Sequence, residues 1–194
     1  MILLLQRQLP NQSTRVHFIN PVPSLMTPFV PQPPAASELS RYRSSPPDMI
    51  NARRRFHDDE KAQTLIYDAW EAEGAQAKFR LCERALERFP FSVDAYNCIA
   101  DLYQRFWKDL DKAQVAYDNA LTCALLLWPA ILEEENIPWG IIENRPVLRC
   151  YHGLGVVLSD KGDLQGACEK FRFLLRVNDS DNQGCRLLLF WAFD

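Results

Sequence analysis

Apolar residues recur every three or four positions from about residue 58 onward, the period of amphipathic helices. Ala62, Leu65, Ile66, Ala69 and Trp70 form a first stripe, with Asp58 or Asp59 as its expected cap, and Gly74 breaks it. Ala77, Leu81, Cys82, Ala85, Leu86 and Phe89 form a second, closed by Pro90. Ser92 is expected to cap a third helix carrying Tyr96, Ile99, Ala100, Leu102 and Tyr103. The chain turns over Phe106–Asp111 into a fourth helix with Ala113, Ala116, Tyr117, Ala120 and Leu121. Before this region the pattern is different. Stretches such as Pro31-Gln-Pro-Pro34 and Ser44-Ser-Pro-Pro47 lack backbone donors and predict no regular structure, except a short helix near Glu38–Tyr42.

The helix–turn–helix rhythm contains an internal repeat. Tyr96-x2-Ile99-Ala100-x2-Tyr103 and Ala113-x3-Tyr117-x2-Ala120 fit the two halves of the tetratricopeptide signature. A second copy reads Tyr151-x2-Leu154-Gly155-x2-Leu158, Gly162, then Ala167-x3-Phe171-x2-Leu174. The pair over 59–92 fits more loosely, because Lys78 stands where a small residue is expected. Two helices approach closely only where one side is small, so Gly or Ala should meet an aromatic ring of the partner helix. The expected fold is therefore all-α: a tetratricopeptide-type solenoid of antiparallel helix pairs, about three pairs plus a terminal helix. It occupies residues 58–194, behind a disordered tail over 1–57.

The spacing also reveals an insertion. Tyr96 and Tyr151 are 55 residues apart, against about 34 for one repeat. The excess falls at about 122–145. Ala124–Trp128 should extend the preceding helix until Pro129, and Ile137-Pro-Trp-Gly-Ile-Ile142 should tuck apolar groups back, with Trp139 as a packing plug. Asn144 is the expected cap of the next helix, with Pro146 in its first turn. The final helix ends in the apolar run Leu187–Phe193, a face suited to self-association or to cover by further chain.

Several segments resemble tetratricopeptide proteins related to suppressor of tumorigenicity seven. They are Ala62-Gln-Thr-Leu-Ile-Tyr-Asp-Ala-Trp-Glu-Ala72, Glu143-Asn-Arg-Pro-Val-Leu-Arg149 with Gly153-Leu154, and Leu175-Arg-Val-Asn-Asp-Ser-Asp-Asn-Gln-Gly184-Cys-Arg186. The resemblance covers roughly residues 59–194, insertion included. Asp179 departs from the usual Asn-Pro ending of the repeat. What the resemblance implies is an interaction role without chemistry of its own.

Such solenoids bind extended peptides or helices in a groove lined by the first helix of each pair. That places Gln63, Tyr67, Trp70, Asn97, Asp101, Gln104, Arg149, His152 and Val156 along the groove. Asn97 and Gln104 could pair with a peptide backbone, and Arg149 with a partner's carboxylate. Asp101 would repel a C-terminal carboxylate, so a chaperone-tail clamp is not expected. Arg145, Asp181, Asn182, Gln183 and Arg186 form a second candidate group, read either as one polar network or as helix capping.

Charge and composition narrow the function. Residues 1–57 hold seven arginines, no lysine, Glu38 and Asp48, which gives +5; with −3 overall, the remainder carries −8. An acidic body argues against a helical-repeat nucleic-acid reader, the alternative class, and no nucleic-acid partner is expected. No apolar run approaches the ~18 residues of a membrane span. The Arg- and Ser-containing tail is compatible with organellar import, but a cytoplasmic protein is the primary expectation. Six cysteines, none in a C-x-x-C pattern, read as reduced, buried small hydrophobes, and no metal site or cofactor is expected. No Ser or Cys has a neighbouring His, and no Gly-rich phosphate loop occurs, so no enzyme activity is expected. The overall expectation is a protein–protein scaffold. A regulatory or self-associating subunit of a larger complex is a further alternative.

Overall fold

A computed structural model describes residues 27–42 and 60–193, and among these every regular element is helical. The α-helices are α1 (Glu60–Glu71), α2 (Ala75–Arg88), α3 (Val93–Leu102), α4 (Leu110–Leu127), α5 (Arg145–Asp160), α6 (Leu164–Val177) and α7 (Cys185–Phe193). Each of α1/α2, α3/α4 and α5/α6 packs as an adjacent pair across a short turn. The first helices also pack on one another, α1 on α3 and α3 on α5. The expected cap of α1 at Asp58 or Asp59 lies outside the described residues.

Local chemistry explains the boundaries. Ser92 Oγ accepts from Ala95 N at 3.3 Å, Asp109 Oδ1 from Lys112 N at 3.0 Å, and Asp163 Oδ1 from Gly166 N at 2.9 Å. Each satisfies a donor that a helix start leaves free. Between α3 and α4 the chain widens into a π-turn, Tyr103–Trp107, and Lys108 takes a left-handed conformation at φ 55°. The two half-signatures stand one residue further apart here than in the second copy, Tyr103 to Ala113 against Leu158 to Ala167, and the turn absorbs that residue. Lys78 has its own explanation. Its ammonium donates to the carbonyls of Ala69 and Trp70 at 3.0 and 2.8 Å, capping the C-terminal end of α1.

The small-against-large rule is visible in α5. A Cβ added at Gly155 would lie 2.6 Å from the Phe171 ring, and one at Gly153 would lie 2.2 Å from the Tyr117 ring. Gly155 admits the partner helix of its own pair, while Gly153 admits an aromatic ring from the preceding pair. One apolar core runs through all three pairs, from Ile66 through Tyr96, Ile99 and Leu148 to Phe171. All six cysteines are buried and unbridged. Burial pushes the thiols of Cys123 and Cys185 up to about 12, which keeps them protonated at neutral pH.

The insertion folds back only in part. A 3₁₀ turn, Pro129–Glu133, follows α4 directly. Ile137 is fully buried and donates its N–H to Val177 O at 2.6 Å, while Arg176 donates to the carbonyls of Glu134 and Leu132. Trp139 packs against the core as expected, whereas Ile141 and Ile142 stay exposed. Asn144 does not cap α5: its amide donates to Pro138 O at 3.1 Å, inside the insertion.

Residues 27–42 pack on the body where the sequence suggested a disordered tail interrupted by a short helix near Glu38–Tyr42. Val30 is buried, Asn119 Nδ2 donates to Pro31 O at 2.9 Å, and the Tyr103 hydroxyl donates to Pro28 O. Ala36–Arg41 forms a 3₁₀ helix, and the Tyr42 ring meets Phe89 and Phe91 edge-on. The prolines that forbid a ladder leave their carbonyls free, and the body's side chains use them. The rest of the tail, and the transit-segment reading with it, lies outside the described residues. Val30→Asp should lower the unfolding free energy by about 2 kcal/mol, the scale of one buried valine. Deleting residues 1–42, which removes Val30 together with the other strap contacts, should cost at least a similar amount. Chemical denaturation measures this, and an unchanged midpoint in both variants would mean the strap contributes no stability.

Candidate functional site

The inner face formed by α1, α3 and α5 carries an open groove with two joined lobes, of about 640 and 340 Å³. Asp101, Arg105, Tyr117, His152 and Gly153 line both. Gln104, Lys108, Val156 and Asp160 belong to the larger lobe, and Trp70, Asp94, Asn97, Arg149 and Gln183 to the smaller. Residues 94, 97, 101 and 104 face the groove together because they are three or four apart on one helical face. Tyr117 reaches the groove from α4 because Gly153 leaves no side chain in its way.

Seven of the nine groove residues expected from sequence are thus brought together: Trp70, Asn97, Asp101, Gln104, Arg149, His152 and Val156. Gln63 is not among them. It is buried, at 8% exposure, and its Nε2 has no partner. Tyr67 lies outside both lobes with its ring 5.3 Å from that of Trp70.

The expected role of Arg149 also changes. Its guanidinium is already paired with Asp94, at 2.9 and 3.1 Å, and it lies 4.8 Å over the Trp70 ring. Asp94 is 3% exposed, so this pair braces the groove floor and does not wait for a partner's carboxylate. Asn97 is similarly engaged, donating Nδ2 to Pro146 O at 2.8 Å. Free polar surface comes instead from Asp101, which pairs with the exposed Arg105, and from Gln104, which donates to Asp160 at 3.1 Å.

His152 is pushed below its ordinary value of 6.5, chiefly by burial, with Arg105 lowering it further and Gln183 and Asp181 opposing. The unfolded state therefore binds more protons than the folded state as pH falls below about 6.5, and the folded state loses stability on acidification. That contribution is complete above the unfolded value and disappears as pH falls through the depressed one. The melting temperature should drop between pH 7.5 and 5.5, and His152→Gln should flatten that part of the drop. An equal drop in the variant would assign the effect to other groups.

The second candidate group separates into two. Asp181 caps the start of α7, accepting from the N–H groups of Cys185 and Arg186 at 2.6 and 3.1 Å. Arg186 donates back to Asp179 O at 2.8 Å, and Asn182 is exposed. Arg145 belongs to the insertion, donating to Trp139 O at 3.1 Å and lying 5.2 Å over its ring. Gln183 alone joins the groove, tethered by Nε2 to Leu148 O at 3.1 Å. Asp181 and Arg186 thus meet at the start of α7, while Asn182 and Gln183 lie in the turn before it and Arg145 bonds within the insertion.

Asp94, Arg105 and Tyr117 are groove residues that the repeat pattern did not single out. Arg105 was legible as the position four after Asp101, whereas Asp94 is set apart only by its distant partner Arg149. Tyr117 was read as core, and the neighbouring Gly153 was the signal that its ring passes through to the inner face.

Among the described residues, no group of three His, Cys, Asp or Glu side chains is gathered to hold a metal ion. No helix among them is long and apolar enough to cross a membrane. Compared with protein-family models and with curated proteins, the chain matches none.

Proposed function

We propose that this chain is a tetratricopeptide-type scaffold without catalytic activity, holding a peptide or helix of a protein partner against α1, α3 and α5. The observation that carries the reading is the open polar groove along the three first helices, whose floor is braced by Asp94–Arg149 while Asp101, Gln104 and Arg105 remain reachable. The repeat signature and the resemblance to relatives of suppressor of tumorigenicity seven point the same way. A braced floor limits the ordering cost of binding.

Asp101→Lys combined with Gln104→Lys tests the proposal, since both side chains are partly exposed and neither braces the core. Affinity capture with the full chain should recover a partner that the double variant loses. Identical recovery by both would reject the groove.

A second reading, self-association, is motivated by α7, where Leu187, Phe190 and Trp191 are 54%, 61% and 66% exposed. Light scattering showing a strict monomer at high concentration would remove it. The nucleic-acid alternative remains disfavoured by the body's charge of −8.

A further inference from the structure

Residues lining the smaller lobe carry acceptors that the protein's own donors leave unsatisfied. Among the described residues four buried side-chain atoms lack a partner, and two of them, Asn97 Oδ1 and Gln183 Oε1, belong to residues lining this lobe. Their orientation is fixed by the opposite atoms, since Asn97 Nδ2 donates to Pro146 O and Gln183 Nε2 to Leu148 O. Turning either amide over would set carbonyl against carbonyl. A buried acceptor without a donor costs about 1–3 kcal/mol, so two such atoms on residues lining one lobe favour a ligand that brings donors.

The surrounding charges select the kind of donor. Asp101 places a carboxylate on the same wall, and its partner Arg105 has a 73% exposed side chain, an arrangement that holds weakly in water. The other cation, Arg149, is matched by the buried Asp94. His152 adds no positive charge at neutral pH, because burial favours its neutral form. A carboxylate ligand would add acceptors where acceptors are already unsatisfied. An ammonium concentrates its donors at one point.

Resting on the groove reading above, we infer that the smaller lobe is a subsite for a guanidinium, the side chain of an arginine in the bound peptide. A guanidinium carries five N–H donors in a planar fork and no acceptor, so one group serves Asn97 Oδ1, Gln183 Oε1 and the Asp101 carboxylate together. The −8 charge over residues 58–194 favours the approach of basic ligands to the body.

The test is titration of N-acetyl-arginine amide into the full ¹⁵N-labelled chain. N-acetyl-citrulline amide, an uncharged mimic with one nitrogen replaced by oxygen, and N-acetyl-lysine amide run in parallel. The arginine probe should shift the side-chain amide signals of Asn97 and Gln183, and should bind about tenfold more tightly than either control. Gln183→Met should weaken it about tenfold. That residue lies in the turn before α7, and Asp101→Asn, at a partly exposed position on the groove wall, provides a second variant if the first disturbs the fold. Equal binding of citrulline, or unmoved Asn97 and Gln183 signals, would overturn the subsite.

The two proposals fail separately. If the Asp101/Gln104 variant loses its partner while arginine leaves the lobe unmoved, the subsite falls and the groove reading stands. If that variant keeps every partner, the groove reading falls and takes the peptide arginine with it.

Discussion

Gly153→Ala should destabilise the protein by about 2 kcal/mol, although alanine is the better helix former. On helix propensity alone, exchanging an interior glycine for alanine would stabilise by roughly 0.5–1 kcal/mol. At this position the new Cβ would lie 2.2–2.4 Å from Cζ, the hydroxyl oxygen and Cε1 of Tyr117, inside any real contact distance. The ring is 5% exposed and packed between α4 and α5, so it has little room to yield. Overpacking of this kind costs about 1–3 kcal/mol. Tyr117→Leu removes the ring and should make Gly153→Ala nearly neutral in its background. Gly74→Ala is the contrasting case: nothing lies within 4 Å, and the cost there comes from φ 82° alone. Urea denaturation of the three single variants and the Gly153/Tyr117 double variant separates these terms. A stabilised Gly153→Ala would mean that α4 and α5 do not meet as described.

Arg149→Met should cost about 2–3 kcal/mol by leaving Asp94 buried without its cation. Removing one member of a fully buried pair costs about 3–5 kcal/mol. Two features reduce that here. The Arg149 side chain is 32% exposed, so water already shares in the interaction. Asp94 also sits in the first turn of α3, where the helix end favours negative charge. Asp94→Asn should recover part of the loss in the double variant, and the four stabilities give the coupling directly. Additive losses would show that the pair contributes no brace across α3 and α5. Because this pair and Asn97 are structural, groove tests that truncate them confound binding with folding. Asp101 and Gln104 are the cleaner positions.

The helices and their pairing were readable because each has an uninterrupted apolar stripe and a conventional punctuation mark. Ser92 caps, Gly74 and Gly162 turn at positive φ, and Pro146 sits in a first turn. Readable groove positions were those fixed by helical phase, and hence Asn97, Asp101, Gln104 and His152 fall together. What was not readable depended on long-range partners. Nothing local distinguishes Asp94 from a solvated first-turn acid. Its burial is set by Arg149, 55 residues later. Gln63 occupies the correct phase but is covered by packing. The docking of residues 27–42 was invisible for a related reason. A proline-rich stretch has no periodicity of its own, and its order comes from Tyr103, Lys112 and Asn119, far along the chain. In the insertion, hydrophobicity alone did not separate Ile137, which is buried, from Ile141 and Ile142, which are not.

The central claim is that the inner face of the three first helices holds a protein partner. Site-specific photo-crosslinking tests it most directly, with a photoreactive residue placed singly at Gln104 or Val156 in the groove, or at Glu169 or Arg172 on α6. The account predicts that the groove positions cross-link to a common partner and that the α6 positions do not. Cross-links from α6 with none from the groove would contradict it.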